Sequence, residues 1–159
     1  MRAAPGASRL QPIDDILGTH RLLVAVVREV ERRERERLGD APLSVADARR
    51  RWDHLANPSL RAQERLFFEI YAHALLGRPG TEGFLDEAVE GWISPVRGLL
   101  IDAGIHEDDA EGLARLGLAV TRGLLLDLLA TGDTAGTTRA FDLFTQLLDL
   151  PSGHHLGHE

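Results

Sequence analysis

The sequence predicts an all-α protein, and three observations carry that reading. No segment shows the period-two alternation of a half-buried strand. Apolar residues recur instead at helical spacing, as in Leu85, Val89, Ile93, Val96 and Leu100. Glycine- or proline-bearing breaks at 39–42, 57–58, 77–80, 104, 131–133 and 151 then divide the chain into six helical stretches joined by short loops. No fixed-period repeat is visible.

Residues 1–16 are rich in Pro, Gly and Ala and are expected to be disordered or a remnant segment. The first helix is predicted from about Thr19 to Leu38, ended by Gly39-Asp40-Ala41-Pro42. Its first half is apolar. Its second half, "REVERRERERL", alternates Arg and Glu, which suits a solvated face with i,i+3 and i,i+4 ion pairs. The interleaved acids neutralise the alternative, a nucleic-acid patch. The second helix starts after Ser44, an N-cap residue with Asp47 three positions on, and stops at Asn57-Pro58. The third runs from Ser59 to about Leu76 and the turn at Gly77–Gly80. The fourth opens near Thr81 and ends at Gly104; Pro95 inside it removes one backbone hydrogen bond and predicts a kink. The fifth, from about Asp108 to Ala130, begins in acid, which suits the positive end of a helix dipole. The sixth runs from about Thr134 to Leu150. Residues 151–159 are expected to form a flexible tail.

The fifth helix raises a question of its own. Leu124, Leu125, Leu126, Leu128 and Leu129 cover both its front and its back. A helix on the surface of a monomer has one apolar stripe and one polar face. This one calls for two apolar neighbours, its own subunit and a second copy.

Composition excludes several classes. At 159 residues and 43% hydrophobic, the chain is long and apolar enough to build a core. No run of about 18 apolar residues predicts a membrane span, and "MRAAPGASRLQPIDD" lacks the apolar centre of a secretory signal. Cysteine is absent, which removes disulfides, thiolate metal sites and cysteine nucleophiles and fits a cytoplasmic protein. The net charge of −7 argues against a broad nucleic-acid-binding surface. All 18 basic residues are arginine, which reads as the coding bias of a GC-rich genome.

Chemistry-bearing motifs are absent as well. The chain has no GxSxG, no Walker loop and no HExxH. Glu87 with Glu90, and Asp108 with Asp109, sit where a helix surface or start holds acid anyway. His154, His155 and His158 include a His-x3-His spacing, but they follow Pro151 among glycines without neighbouring ligands and read as tail. The expectation is no enzyme, no metal and no cofactor.

Eight aromatic residues carry more information. Six of them, Trp52, Phe67, Phe68, Tyr71, Phe84 and Trp92, lie in the second to fourth helices. Two readings stand for them: core fillers, or the walls of an apolar ligand pocket with a few polar groups such as His54, His73 or Tyr71. The candidate ligand-binding residues are Trp52, His54, Phe67, Tyr71 and Trp92. Trp92 is the best of them, because it neighbours Pro95, where a kink opens space between helices.

The run "DAGIHEDDAEGLARLGLAVTRGLLLDLLATGDTAGTTRAFDLFTQLL", residues 102–148, resembles the last two helices of TetR-family transcriptional regulators. The matching features are Gly104-Ile105, the acidic start at Asp108-Asp109, Arg122-Gly123-Leu124-Leu125 and the break at Thr131-Gly132-Asp133. "LGTHRLLVAVVREVE", from Leu17, is similar to the start of that family's fourth helix. There Leu17 stands for an aromatic, Thr19 is the cap, His20 replaces a basic residue, Arg21 replaces an acid, and Leu23-Val24 fill the apolar pair. The resemblance implies that residues 17–150 form an all-helical ligand-binding and dimerisation domain. Its last two helices would pair with those of a second subunit in a four-helix bundle. The interface residues it implies are Val120, Leu124, Leu128, Phe141, Phe144 and Leu148. It also implies a job: a repressor in which a small hydrophobic effector modulates DNA binding.

One departure is large. The family's helix-turn-helix head occupies about three helices before the position of Leu17, and only sixteen residues precede it here. DNA is therefore an expected partner only if a head is present in the full-length protein. The alternative is a headless helical interaction protein that heterodimerises with a regulator and binds no DNA.

Overall fold

The computed structural model describes residues 11–38 and 44–149. They form six helices: α1 (Gln11–Glu36), α2 (Val45–Leu55), α3 (Arg61–Leu75), α4 (Phe84–Asp102), α5 (Glu107–Thr131) and α6 (Thr134–Asp149). A 3-10 turn at Pro58–Leu60 precedes α3, and no strand occurs among the described residues. The all-α expectation holds, and none of these helices is long and apolar enough to cross a membrane. The histidines of the expected tail lie outside the described residues.

Local chemistry sets the helix ends. The Ser44 hydroxyl accepts the Asp47 amide at 3.1 Å, as its position predicts. Asn57 accepts the Ser59 amide at 2.9 Å and starts the 3-10 turn, so α3 itself begins two residues later than the sequence suggests. His106 caps α5 through its ring Nδ1, which accepts the Asp108 amide at 3.3 Å. Gly132, at φ +75°, closes α5 by donating to the Leu128 carbonyl at 2.8 Å. Asp133 then accepts the Gly136 amide at 2.8 Å; a Cβ on Gly136 would collide with that carboxylate. Pro95 lies on the exposed side of α4, and the helix continues through it to Asp102.

The largest boundary difference is at α1, which begins at Gln11 and not near Thr19. Part of the segment expected to be disordered is therefore helical. Pro12 is compatible with this, because the first turn of a helix needs no amide donor from its residues. Further along α1 the arginines pair with their own helix: Arg32 and Arg33 reach Glu29 at 2.8 and 2.7 Å, and Arg32 and Arg37 also meet Glu36 and Glu34. The outer face of the alternation is the solvated ion-pair ladder that its spacing predicts, while Glu31 and Glu34 turn inward and are largely covered.

Two apolar clusters make the core. The first joins Val24 and Val27 of α1, Phe67, Ile70 and Ala74 of α3, and Phe84 and Ala88 of α4. The second joins Trp52 of α2 and Ala56, which caps that helix, Leu125 and Leu128 of α5, and Phe141 of α6. Phe68 packs against both. Trp52 is fully buried and stacked on Phe141 at 5.0 Å, and its indole donates to the Thr138 hydroxyl at 2.8 Å. Trp52→Ala should therefore cost about 3–5 kcal/mol of stability. Urea unfolding followed by circular dichroism measures it, and a loss below about 1 kcal/mol would mean that α2 is not anchored to α6 in this way.

Candidate functional site

Between the two clusters lies a cavity of about 520 Å³. Its walls include Trp52 of α2, Phe67 and Phe68 of α3, Trp92 of α4, and Phe141 and Phe144 of α6. Ala114 and Gly117 give α5 a low profile where it faces the space, and a Cβ built on Gly117 would meet no atom within 4 Å. Leu147 and Leu148 line the cavity yet stay 68% and 47% exposed, so they mark its rim. The volume and the aromatic lining suit a drug-sized ligand.

Charged residues on three helices reach this apolar interior by taking places on apolar helical stripes. On α1 and the turn after it, Val24, Val27, Glu31, Glu34 and Leu38 follow one another at spacings of three and four, and the apolar members are buried. On α3, Glu64 precedes Phe67, Ile70 and Ala74 at the same spacing. On α5, Arg122 stands between Leu118 and Leu125.

Glu31 accepts a hydrogen bond from the Trp92 indole at 2.7 Å and lies 3.9 Å from the Arg122 guanidinium. Burial raises its pKa against the pull of Trp92, Arg122 and Arg35. Arg122 sits over the rings of Phe67 and Tyr71, 5.1 and 5.5 Å from their centroids, and donates to the Ala88 carbonyl. Burial lowers its pKa, and the charge of Glu31 opposes that. Glu64 is only 8% exposed and makes no hydrogen bond or ion pair among the described residues. Burial first, then the charges of Glu31 and Glu34, push its carboxyl up to about 7, with Arg122 pulling the other way.

Of the candidate ligand residues, Trp52, Phe67 and Trp92 share the cavity wall. Tyr71 does not. It lies beyond Arg122 in a more open groove of about 610 Å³, with Leu75, Val89, Ile93 and Leu126. His54 is exposed, 2.9 Å from Arg37 and 3.3 Å from Glu34, in a surface recess that backs onto Trp92. His73 bonds the ring of His20 at 3.1 Å, away from the cavity.

The six residues named for an interface divide differently. Leu128 and Phe141 are buried inside the subunit, where α5 and α6 close over Trp52. Leu124 packs at the margin of the same cluster, Phe144 faces the cavity, and Val120 is half-buried. Only Leu148 is exposed. The bare apolar residues of α5 and α6 are Leu116, Leu126, Leu143, Leu147 and Leu148. The leucine run could not fix which of its members faced inward, because apolar side chains occupy every phase of the helix.

Sequence reasoning missed Glu31, Glu64 and Arg122. Glu31 belongs to the Arg/Glu alternation read as a solvated face, and Glu64 belongs to no motif. The signal was the stripe itself, an acid standing where the apolar period calls for a hydrophobic residue. No protein-family model, curated protein or solved structure matches the chain.

The carboxyl of Glu64 makes stability fall with pH. The folded chain holds its proton more tightly than the unfolded chain, whose value is near 4.5. The stabilisation is complete below about pH 4.5 and is lost as pH rises through about 7. Glu64→Gln keeps the shape without the charge, so it should flatten the decline between pH 5 and 8. At pH 8 it should raise the melting temperature by about 4 °C or more. Melting curves across that range decide it; parallel slopes in both proteins would remove Glu64 as the cause.

Proposed function

We propose that this chain is the effector-binding and dimerisation part of a TetR-like transcriptional regulator, acting as a repressor in the full-length protein. The observation that carries the ligand half of this reading is the aromatic cavity with five charged side chains in its wall, Glu31, Glu34, Arg51, Glu64 and Arg122. A space of that size, lined by six large rings and reached by three acids and two arginines, is more than a packing defect. Its placement supports the reading too. Helix α1 contributes Glu31 and Glu34 to the wall, so a ligand bound there touches the helix that, by the family resemblance, would connect the effector site to a DNA-reading head. A ligand acts in such a scheme only by binding one arrangement of the helices better than another.

The dimerisation half rests on the uncovered leucines of α5 and α6, with Leu126, Leu143 and Leu147 each at least half exposed. A second copy that covers them would supply the second apolar neighbour for the leucine-rich helix, in an isologous four-helix arrangement. A stable pairing of this kind buries on the order of 2,000 Å². The cavity favours this reading over a headless interaction protein, which would have no use for an internal ligand site.

Sedimentation velocity at micromolar concentration should show a dimer, and the double variant Leu143→Glu, Leu147→Glu should sediment as a helical monomer. A native chain that stays monomeric would overturn the dimer. For the cavity, a thermal-shift panel of small hydrophobic molecules should yield stabilising ligands whose effect disappears in Trp92→Ala, with helix content retained. Ligands that stabilise both proteins equally would place binding elsewhere.

A further inference from the structure

The charges in the cavity wall are not balanced, and the imbalance points to a class of ligand. Arg122 is already engaged by Glu31 at 3.9 Å, by the Ala88 carbonyl and by two aromatic faces. Arg51, the other arginine in the wall, donates to the Leu38 carbonyl at 2.7 Å. Glu34 meets Arg37 and His54 at the outer edge. Glu31 has Trp92 and Arg122. Glu64 alone is left: 92% of it is covered, it lines the cavity, and no donor among the described residues reaches it. A buried carboxylate without a donor is costly, and a positive partner removes that cost.

From this geometry we infer that the cavity binds an aromatic or otherwise lipophilic cation, a protonated amine in the simplest case, with its positive group at Glu64 and its apolar body among Trp52, Trp92, Phe67 and Phe68. The inference rests on the cavity being a ligand site and adds the sign of the ligand's charge. The surroundings support it twice. Aromatic faces attract a desolvated cation through their quadrupoles, most strongly those of tryptophan. An anion, by contrast, would meet Glu31, Glu34 and Glu64 with both wall arginines already engaged.

Three probes of one shape separate the alternatives: 1-naphthylmethylamine, 1-naphthylmethanol and 1-naphthoate, titrated by calorimetry at pH 8 into the native chain and into Glu64→Gln. The amine should bind at least about tenfold more tightly than the alcohol, a difference of about 1.4 kcal/mol, and the carboxylate should bind least. Glu64→Gln should bring amine and alcohol to within about threefold while leaving the alcohol's affinity in place. Glu111→Gln, which removes an exposed acid from α5 outside the cavity wall, should leave the tenfold preference intact and so exclude a general effect of net charge. Equal binding of amine and alcohol to the native chain would overturn the cation assignment while keeping the cavity as a ligand site. A preference that survives in Glu64→Gln would overturn the role of Glu64. No binding of any probe at millimolar concentration would overturn both the assignment and the ligand-site reading beneath it.

Discussion

The contact of Glu31 with Trp92 and Arg122 is the constraint on which the interior depends. It connects α1 to α4 through an indole hydrogen bond and α1 to α5 through a guanidinium. Arg122 carries the connection on to α3 by lying over Phe67 and Tyr71. Four helices therefore meet at one ion pair that is mostly shielded from water. Such a pair adds little net stability over a well-packed apolar substitute, because desolvation offsets most of the attraction. Its effect is on arrangement. An apolar contact tolerates sliding, whereas a buried acid must keep its donors, so the phases of α1, α4 and α5 are fixed relative to one another.

That fixed arrangement explains why a cavity persists between two well-packed clusters. The rings of Trp52 and Phe141 prop α2 against α6 on one side. The rings of Phe67 and Phe84 prop α3 against α4 on the other. Helix α5 runs past both, and its small residues Ala114 and Gly117 do not fill the gap. Collapse would require α5 to move toward α1, which would displace Arg122 from its aromatic seat and from the Ala88 carbonyl. An isolated buried guanidinium is far costlier than the dispersion lost around a void.

The sequence revealed the helices more completely than it revealed the site, and the reason is range. Ser44, Asn57-Pro58, Gly104 and Gly132 act within a few residues of themselves, so the ends they set can be read without the fold. Pro12 misled for the same reason: a proline near a helix start is compatible with both a coil and a first turn. The large rings of Trp52, Phe67 and Trp92 were legible as interior residues, since little else on the chain could fill a core. Which wall each one faced was not. Tyr71 shares a helix face with Phe67, yet Arg122 lies across both rings and leaves Tyr71 on the far side of the partition. Glu64 was legible only as a break in a stripe, a weak signal until α1 and α5 are known to bring Glu31, Glu34 and Arg122 near it.

Helix α5 is where the two halves of the proposed function meet. Arg122 and Leu125 line the cavity, and Leu126, one turn on from Arg122, is 52% exposed on the flank that carries the outer groove with Tyr71. Any partner seated on that flank shares the helix with whatever fills the cavity. A bound cation that paired with Glu64 would change the field around Arg122, because Glu31, Glu64 and Arg122 act on one another electrostatically in an apolar surrounding. In the proposed scheme the coupling would be reciprocal: whatever factor a bound molecule contributes to assembly through α5, assembly would contribute to the cavity's affinity. In the proposed dimer, a helix packed on two flanks would carry a displacement from one to the other, so its second apolar side would serve coupling as well as adhesion.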